Sequence, residues 1–374
     1  MPGLLPDVDP DGLLEYSVVY TDRSLNHMSQ RFQGVMRDIS ATLKRVYRAH
    51  STVIVPGSGT FGMEAAARQF ATNQHCLVIR NGQFSYRWSQ ILEMGAIAAS
   101  TTVLKAHRLA PQDPQSPFAP APIEDVERTI REERPGVVFA PHVETSAGLL
   151  LPDDYLRRVA TAVHEVGGLF VLDCIASGTL WVDMAGLGVD VLLSAPQKGW
   201  SGLPCCGMVM LSERARERIE QTVSTSFACD LRKWLSIMET YENGGHAYHA
   251  TMPTDGLARL RDIMHETAEY GFDKVCEEQW VLGRGARELL TRFGYRSVAA
   301  PGFEAPGVVV CYTNDADIVA KFADAGLQVA GGVPLMCDEG DDYRAFRIGL
   351  FGLDKLHDVE RSLANLETAL VRIG

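Results

Sequence analysis

The stretch GLFVLDCIASG, residues 168–178, decides the fold class of this 374-residue chain. Its apolar run shows no polar alternation, which is typical of a strand buried on both faces of a sheet. A helical pattern, DDYLRRVATAVHEVG (153–167), precedes it, and a second apolar run, DVLLS (190–194), follows it. Buried strands that alternate with helices pair in parallel, so the stretch predicts an α/β sheet with helices on both faces.

Apolar runs of this kind recur through the first part of the chain. They are TVIV (52–55), CLVI (76–79), TTVL (101–104), GVVFA (136–140), GLFVLD (168–173), DVLLS (190–194) and CGMVML (206–211). After residue 250 the pattern changes to long helices, followed by short strands and one terminal helix. We predict an N-terminal arm over 1–25, a large α/β domain with a mostly parallel seven-stranded sheet over 26–264, and a small C-terminal α+β domain over 265–374.

The composition limits the partners of the protein. Its formal net charge is −12, and nucleic acid and anionic membranes both require basic patches, so we expect neither as a partner. No apolar stretch approaches the ~20 residues of a membrane span, and the first residues do not resemble a signal peptide. The eight cysteines form no CxxC pair, so we expect reduced thiols, no metal site and a cytoplasmic protein.

A glycine-rich turn joins the first apolar run to a helical pattern in TVIVPGSGTFG (52–62). The N–H groups at such a helix start favour a phosphate, and Ser58 and Thr60 add hydroxyl donors. The spacing of its glycines also fits a dinucleotide fingerprint, whereas a P-loop is excluded because no Gly-Lys-Ser/Thr follows. The next run ends LVIRNG without an acid, but Arg80 could hold a 2′-phosphate. An NADP site and a plain tight turn therefore remain alternatives.

Two charged residues follow neighbouring strands. Asp173 closes one apolar run, where a partly desolvated carboxylate needs a cationic or hydrogen-bonding partner. Lys198, in LLSAPQKGWSG (192–202), follows the next run, and desolvation there favours its neutral, nucleophilic form. Together with the glycine turn they match a ligand with a phosphate, a protonated ring nitrogen and an aldehyde. Pyridoxal 5′-phosphate has all three, and a nicotinamide dinucleotide requires no lysine imine.

The chain resembles the class V, fold-type I aminotransferases that depend on pyridoxal phosphate. Within that family it is most similar to the alanine–glyoxylate, serine–pyruvate and 2-aminoethylphosphonate–pyruvate branch. The resemblance runs from about Asn26 to the C-terminus. Its main motifs are NHMSQRFQGVMRDI (26–39), PGSGTFGMEAA (56–66), RNGQFSYR (80–87), HVETSAGLLLP (142–152), LDCIASG (172–178), SAPQKGWSG (194–202), YHATMP (248–253) and FRIGLFG (346–352).

The resemblance implies how the cofactor is held. Lys198 would form the imine with the cofactor and carry the proton between the substrate Cα and the cofactor, and Asp173 would pair with the ring nitrogen. Phe84 would stack on the ring, and Thr145 would lie near the phenolate oxygen. The residues implied at the phosphate are Ser58, Gly59, Thr60 and Gln197.

The resemblance also implies a shared site and a substrate contact. Tyr248 and Thr251 would reach the phosphate of the neighbouring subunit, which makes the enzyme a homodimer with shared active sites. Arg347 would bind the substrate α-carboxylate, because its planar guanidinium matches a carboxylate. The family usually opens the large domain with a Gly-Pro-Gly-Pro turn, whereas residues 21–23 here read Thr-Asp-Arg. Arg23 could therefore contact a second anionic group or be an ordinary surface residue.

The leading hypothesis is an aminotransferase that works by ping-pong chemistry. It would move an amino group from an amino acid to a small 2-oxo acid, glyoxylate or pyruvate. One alternative is a lyase or desulfurase that uses the same cofactor and scaffold; the adjacent Cys205 and Cys206 are the thiols in question. Desulfurases carry their reactive cysteine on a separate mobile loop, and the sequence shows no such loop. The other alternative is an NADP-dependent oxidoreductase built on the glycine turn.

Overall fold

The computed structural model describes residues 13–374, so residues 1–12 of the predicted N-terminal arm lie outside the described part. Its strands are β1 (Ser51–Pro56), β2 (His75–Arg80), β3 (Ser100–Lys105), β4 (His107–Arg108), β5 (Phe118–Ala119), β6 (Val137–Pro141), β7 (Val143–Glu144), β8 (Leu149–Leu150), β9 (Leu169–Asp173), β10 (Val191–Ser194), β11 (Cys206–Leu211), β12 (Val308–Tyr312), β13 (Ala330–Gly331) and β14 (Ala345–Gly349).

The helices surround these strands. They are α1 (Gln30–Tyr47), α2 (Gly59–Phe70), α3 (Gln83–Met94), α4 (Ile123–Glu133), α5 (Asp153–Glu165), α6 (Met184–Leu187), α7 (Glu213–Glu220), α8 (Leu231–Glu242), α9 (Thr254–Tyr270), α10 (Phe272–Arg292), α11 (Ile318–Asp324), α12 (Leu353–Leu356) and α13 (Val359–Ile373). Among the described helices, none combines the length and the apolar character that crossing a bilayer requires.

All seven predicted runs form one central sheet, in the order β1-β11-β10-β9-β6-β2-β3. The neighbours β10, β9, β6, β2 and β3 pair in parallel, and β11 is antiparallel to both β1 and β10. Six strands therefore point the same way, which confirms the predicted α/β class with a mostly parallel sheet. Because their carboxyl ends share one edge, the turn after β1, the end of β9 and the loop after β10 meet there.

The C-terminal part contains a smaller sheet, β12-β14-β13, whose pairs are antiparallel. Its core draws on residues from Ile263 to Leu370, whereas the main core draws on residues from Leu25 to Met264. The boundary predicted at 264/265 thus falls inside α9, which contributes to both cores. The division into domains stays a prediction.

The predicted single terminal helix was wrong, because the chain forms α12 and α13 there. Residues 357 and 358 interrupt the helix, and the Asp358 side chain accepts a hydrogen bond from the N–H of Arg361 at 3.0 Å. An aspartate that accepts from an N–H three residues on starts a new helix, because it satisfies an N–H group that the helix leaves unpaired.

Candidate functional site

A cavity of about 160 Å³ lies at the carboxyl edge of the central sheet. Its lining residues are Ser58, Gly59, Thr60, Met63, Phe84, Arg87, Val143, Thr145, Asp173, Ile175, Ala176, Gln197 and Lys198. The structure therefore brings together every residue predicted to contact the cofactor within one subunit. A larger cavity, of about 630 Å³, lies beside Arg80 and segment 332–345. Its Lys105 is already paired with the exposed Asp338 at 2.7 Å, and the glycine turn is not among its lining residues.

Lys198 lies in the tight loop that follows β10. Its carbonyl accepts the N–H of Ser201 at 3.0 Å, and its Nζ lies 5.3 Å from the centroid of the Phe351 ring. The next residue must be glycine, because a Cβ on Gly199 would lie 1.8 Å from the carbonyl oxygen of Gly178. Burial lowers the pKa of Lys198, and the positive charge of Arg347 lowers it further. The lysine amine is thus easier to deprotonate than a surface lysine, as a nucleophile requires.

Asp173 is the last residue of β9 and is 8 % exposed. Its Oδ1 accepts the N–H of Ile175 at 2.9 Å. Burial raises the pKa of Asp173 to about 7, and the charge of Glu144 adds to this effect, whereas Arg87 and Lys198 oppose it. A buried carboxylate of this kind is stabilised by a cation placed beside it, such as a protonated ring nitrogen.

The glycine turn ends β1 and begins α2. Gly57 has φ of +121°, a conformation that favours glycine, and its N–H donates to the carbonyl oxygen of Cys205 at 3.0 Å. Ser58 is the N-cap of α2, but its hydroxyl makes no capping hydrogen bond. The hydroxyl and the first N–H groups of the helix therefore remain available to an anion at the cavity.

Arg347 lies on β14, next to the cavity rather than in its lining. Its Nε donates to the carbonyl oxygen of Gly331 at 2.9 Å, and its Cζ lies 5.8 Å from the centroid of the Phe84 ring. Burial lowers the pKa of this half-buried guanidinium. The positive charge of Arg347 also acts on Lys198 and lowers the pKa of that lysine. This position suits a group that holds one end of a substrate.

Tyr248 and Thr251 are not brought to this cavity. Their hydroxyls lie 3.0 Å apart, Tyr248 is 52 % exposed, and its ring centroid lies 5.5 Å from that of His27. Arg23 is exposed, and its neighbour Tyr20 donates from its hydroxyl to the carbonyl oxygen of Met252 at 3.2 Å. The segment that begins at Tyr20 thus packs near Tyr248, and none of it lines the cavity of its own subunit.

Sequence reasoning missed two charged residues of the site. Arg87 lines the cavity, with its Cζ 4.7 Å from the centroid of the Phe84 ring. The signal was its position three residues after Phe84 in a helical segment, which puts both side chains on one helix face. Glu144 is fully buried directly beside Thr145, and no local pattern reveals its partners.

Comparison with known proteins gives relatives along most of the chain, although no family model matches it. A 2-aminoethylphosphonate–pyruvate transaminase of Paraburkholderia xenovorans is 29% identical over 94% of this chain and 90% of its own length. An alanine–glyoxylate aminotransferase of Saccharomyces cerevisiae is 26% identical over 88% of this chain and 86% of its own length.

Solved structures show the same fold. An alanine–glyoxylate aminotransferase from Nostoc sp. superposes with a TM-score of 0.76 at 21% identity, covering 92% of this chain and 88% of that one. A ureidoglycine–glyoxylate aminotransferase from Bacillus subtilis gives 0.74 at 22% identity, covering 96% and 88%. These comparisons confirm the predicted fold type and the predicted resemblance. The sequence relatives favour transamination over the lyase and the oxidoreductase alternatives.

Proposed function

We propose that this chain, an aminotransferase related to the class V enzymes, uses pyridoxal 5′-phosphate to move an amino group from an amino acid to a small 2-oxo acid. The observation that carries the proposal is the placement of Lys198 and Asp173 in one cavity with the start of α2. A nucleophilic amine, an acid that needs a cation and a phosphate-binding helix start match three separate groups of this cofactor.

The lining residues fit the cofactor along its length. The phosphate would lie against the start of α2, where Ser58, Gly59 and Thr60 offer donors, with Gln197 beside them. Asp173 would hold the ring nitrogen, and Phe84 would cover the ring face. The bound group supplies an electron sink that stabilises negative charge developing at the substrate Cα. Thr145 would then lie near the ring oxygen.

The residues of the chain hold the substrate and move the proton. The Lys198 amine, with its pKa lowered by burial, accepts the Cα proton and returns it on the cofactor side. Arg347 binds the α-carboxylate, which fixes the direction of the Cα–H bond. The donor would leave as its 2-oxo acid, and its amino group would stay on the bound cofactor until the acceptor binds, so both substrates would use Arg347 in turn. Ping-pong kinetics follow from that order.

The acceptor we propose is pyruvate or glyoxylate. The support is that the names of the sequence relatives specify these two acids as substrates of those proteins. Both are small monocarboxylates, and the planar guanidinium of Arg347 suits one carboxylate.

We also propose a homodimer in the cytoplasm, in which Tyr248 and Thr251 serve the neighbouring subunit. Exposed apolar side chains support an interface, since Phe61 is 49 % and Phe227 is 78 % exposed. Hydrogen bonds join the segments that carry these side chains. Arg68, in the same helix as Phe61, donates to Thr225 at 3.1 Å, and a ring nitrogen of His249, next to Tyr248, lies 2.9 Å from the carbonyl oxygen of Phe227. Large exposed apolar side chains on neighbouring segments support the proposed association surface.

A donor panel tests the proposed reaction. The purified protein, loaded with pyridoxal phosphate, is incubated with single amino acids and either pyruvate or glyoxylate, and the new 2-oxo acid is measured. We expect repeated turnover only when both substrates are present, whereas an amino acid alone should give at most one equivalent of 2-oxo acid per site. Release of ammonia or sulfide without a 2-oxo acid would instead support the lyase, and oxidation of NADPH would support the oxidoreductase.

A further inference from the structure

Glu144 is a buried carboxylate with an unusual number of partners. Its side chain has no exposed surface. Oε1 accepts the backbone N–H of Phe84 at 3.1 Å, and the N–H and hydroxyl of Ser146 at 3.1 and 2.7 Å. Oε2 accepts the N–H and hydroxyl of Ser85 at 2.8 and 2.7 Å. This set of donors compensates the desolvation of the charge and fixes the carboxylate in one orientation.

These hydrogen bonds join two segments of the cavity wall. One is the start of α3, which carries Phe84, and the other is the turn that carries Thr145. The N–H of Gln83 also donates to the Ser146 hydroxyl, at 2.9 Å, so the turn caps the first three N–H groups of the helix. Gly82, the N-cap, has no side chain to do so, and a Cβ there would lie 2.1 Å from Ser146 Oγ.

The charge of Glu144 also acts on the site. It favours the protonated form of Asp173 and of Arg347. The other charged groups at the cavity are the cations Lys198 and Arg87, while the Tyr343 hydroxyl lies within electrostatic reach of Arg347. A negative charge at the start of α3 is further favoured by the helix dipole. Glu144 therefore contributes negative potential to a cavity that contains three cationic side chains in or beside it.

We propose that Glu144 is a positioning residue for the cofactor: it holds Phe84 and Thr145 at the spacing of the ring, and its charge favours protonation of the bound cofactor. This inference rests on the proposed function. Glu144 touches neither substrate nor cofactor in this arrangement, so it acts through its hydrogen bonds to α3 and to Ser146, and through its field.

Two variants separate these effects in the protein loaded with pyridoxal phosphate. Glu144→Gln keeps the size of the side chain but removes its charge, and it turns an NH₂ group toward N–H and O–H donors that need an acceptor. The dissociation constant of the cofactor should therefore rise about ten- to hundredfold. The pH midpoint of the visible absorption band should fall by at least about 0.5 unit, because removing a negative charge disfavours protonation. Glu144→Asp keeps the charge on a shorter arm, so the affinity should fall while the midpoint stays.

Glu339→Gln is the matched control. Glu339 is also buried and also accepts backbone N–H groups, those of Leu335, Met336 and Cys337, but it does not line the cavity. Its replacement should leave the cofactor affinity and the midpoint unchanged. Equal effects in the two glutamine variants, or wild-type values in Glu144→Gln, would overturn the proposal.

A further variant covers the case in which Glu144→Gln does not fold. Ser146→Ala keeps the charge but removes one donor to Glu144 and the acceptor for Gln83, so it should weaken cofactor binding several-fold at an unchanged midpoint. An unchanged affinity would count against the positioning role. If the wild-type protein shows no visible band with pyridoxal phosphate, the proposed function itself fails, which is a different result from a band that Glu144 does not influence.

Discussion

In the proposed function, covalent attachment of the cofactor depends on Lys198. We expect Lys198→Ala to retain the cofactor through the phosphate and ring contacts, but to form no adduct that borohydride can trap. The turnover number should fall at least about a thousandfold. Absorption spectra, the mass of the reduced protein and initial rates measure these effects. Lys274→Ala is a matched control, since Lys274 also lies over an aromatic ring, with its Nζ 4.0 Å from the Tyr270 centroid. An adduct that persists in Lys198→Ala would contradict the assignment.

The raised pKa of Asp173 predicts that the unfolding free energy of the cofactor-free protein depends on pH. Its pKa is about 7 in the folded chain against an ordinary value of 3.8, so between these values the folded state holds a proton that the unfolded state has lost. The stabilisation is therefore present at low pH and is lost as the pH rises through about 7. We expect the unfolding free energy of the wild type, relative to Asp173→Asn, to fall by roughly 2 to 4 kcal/mol between pH 4 and 8, since each pKa unit corresponds to about 1.4 kcal/mol.

Urea denaturation of both cofactor-free proteins at the two pH values measures this difference. Asparagine does not titrate, so the effects of all other groups cancel in the comparison. A difference that is the same at both pH values would mean that the pKa of Asp173 is the same in the folded and the unfolded chain, so burial would not raise it as the structure indicates.

The sequence predicted Asp173 because it is the last residue of an apolar strand, and Lys198 because it lies in the loop after the next one, where charged residues are unusual. It could not reveal Glu144, because that carboxylate accepts hydrogen bonds from Phe84 and Ser85, about sixty positions away in the chain. Arg87 was missed for a related reason: an arginine in a helical segment is ordinary until the sheet edge beside it is known.

At the scale of elements, the start of α2 depends on close approach of β11. A Cβ on Gly207 would lie 2.8 Å from the carbonyl oxygen of Ser58 and 2.9 Å from the backbone of Gly62. We expect Gly207→Ala to push the helix start away, at a cost of about 1 to 3 kcal/mol in stability and at least about tenfold in cofactor affinity. Thermal unfolding and cofactor titration measure the two effects.

Gly34→Ala provides the contrast within a helix. Gly34 lies in α1, and an added Cβ there would have no atom within 4 Å apart from its chain neighbours and the backbone of its own helix. The change should therefore raise stability by about 0.5 to 1 kcal/mol and leave cofactor binding unaltered. If Gly207→Ala bound the cofactor as tightly as Gly34→Ala, the contact between β11 and α2 would not govern the phosphate site.

Most of the strands that the sequence predicted share one physical property. Strands buried on both faces give continuous apolar runs, and six of the seven central strands are almost entirely buried. The edge strand β3 was recognised from its run TTVL, although it is only partly buried. The two-residue strands β4, β5, β7, β8 and β13 are too short to show any period. The antiparallel direction of β11 was also not predicted, because a buried strand has the same composition in either orientation.

At the scale of the whole molecule, the proposed dimer divides each site between two chains. Lys198 and Asp173 would belong to one subunit, whereas Tyr248, outside the cavity of its own chain, would belong to the other. One variant chain carries Lys198→Ala, and the other carries both Tyr248→Ala and Thr251→Ala. A dimer built from either variant alone therefore has no complete site. A mixed dimer, however, combines the intact lysine of the second chain with the intact tyrosine of the first, which restores one complete site.

Mixing the two variants after reversible dissociation tests this arrangement. Random pairing should restore about a quarter of the wild-type activity, because half of the dimers are mixed and one site in two is then intact. The same experiment with Lys198→Ala and Asp173→Asn is the control, since both residues belong to one subunit's site in this arrangement. Each site of that mixed dimer carries one of the two substitutions, so no site is complete and no activity should return. Recovery in the control, or none in the first mixture, would show that Tyr248 and Thr251 do not complete the site of the partner subunit.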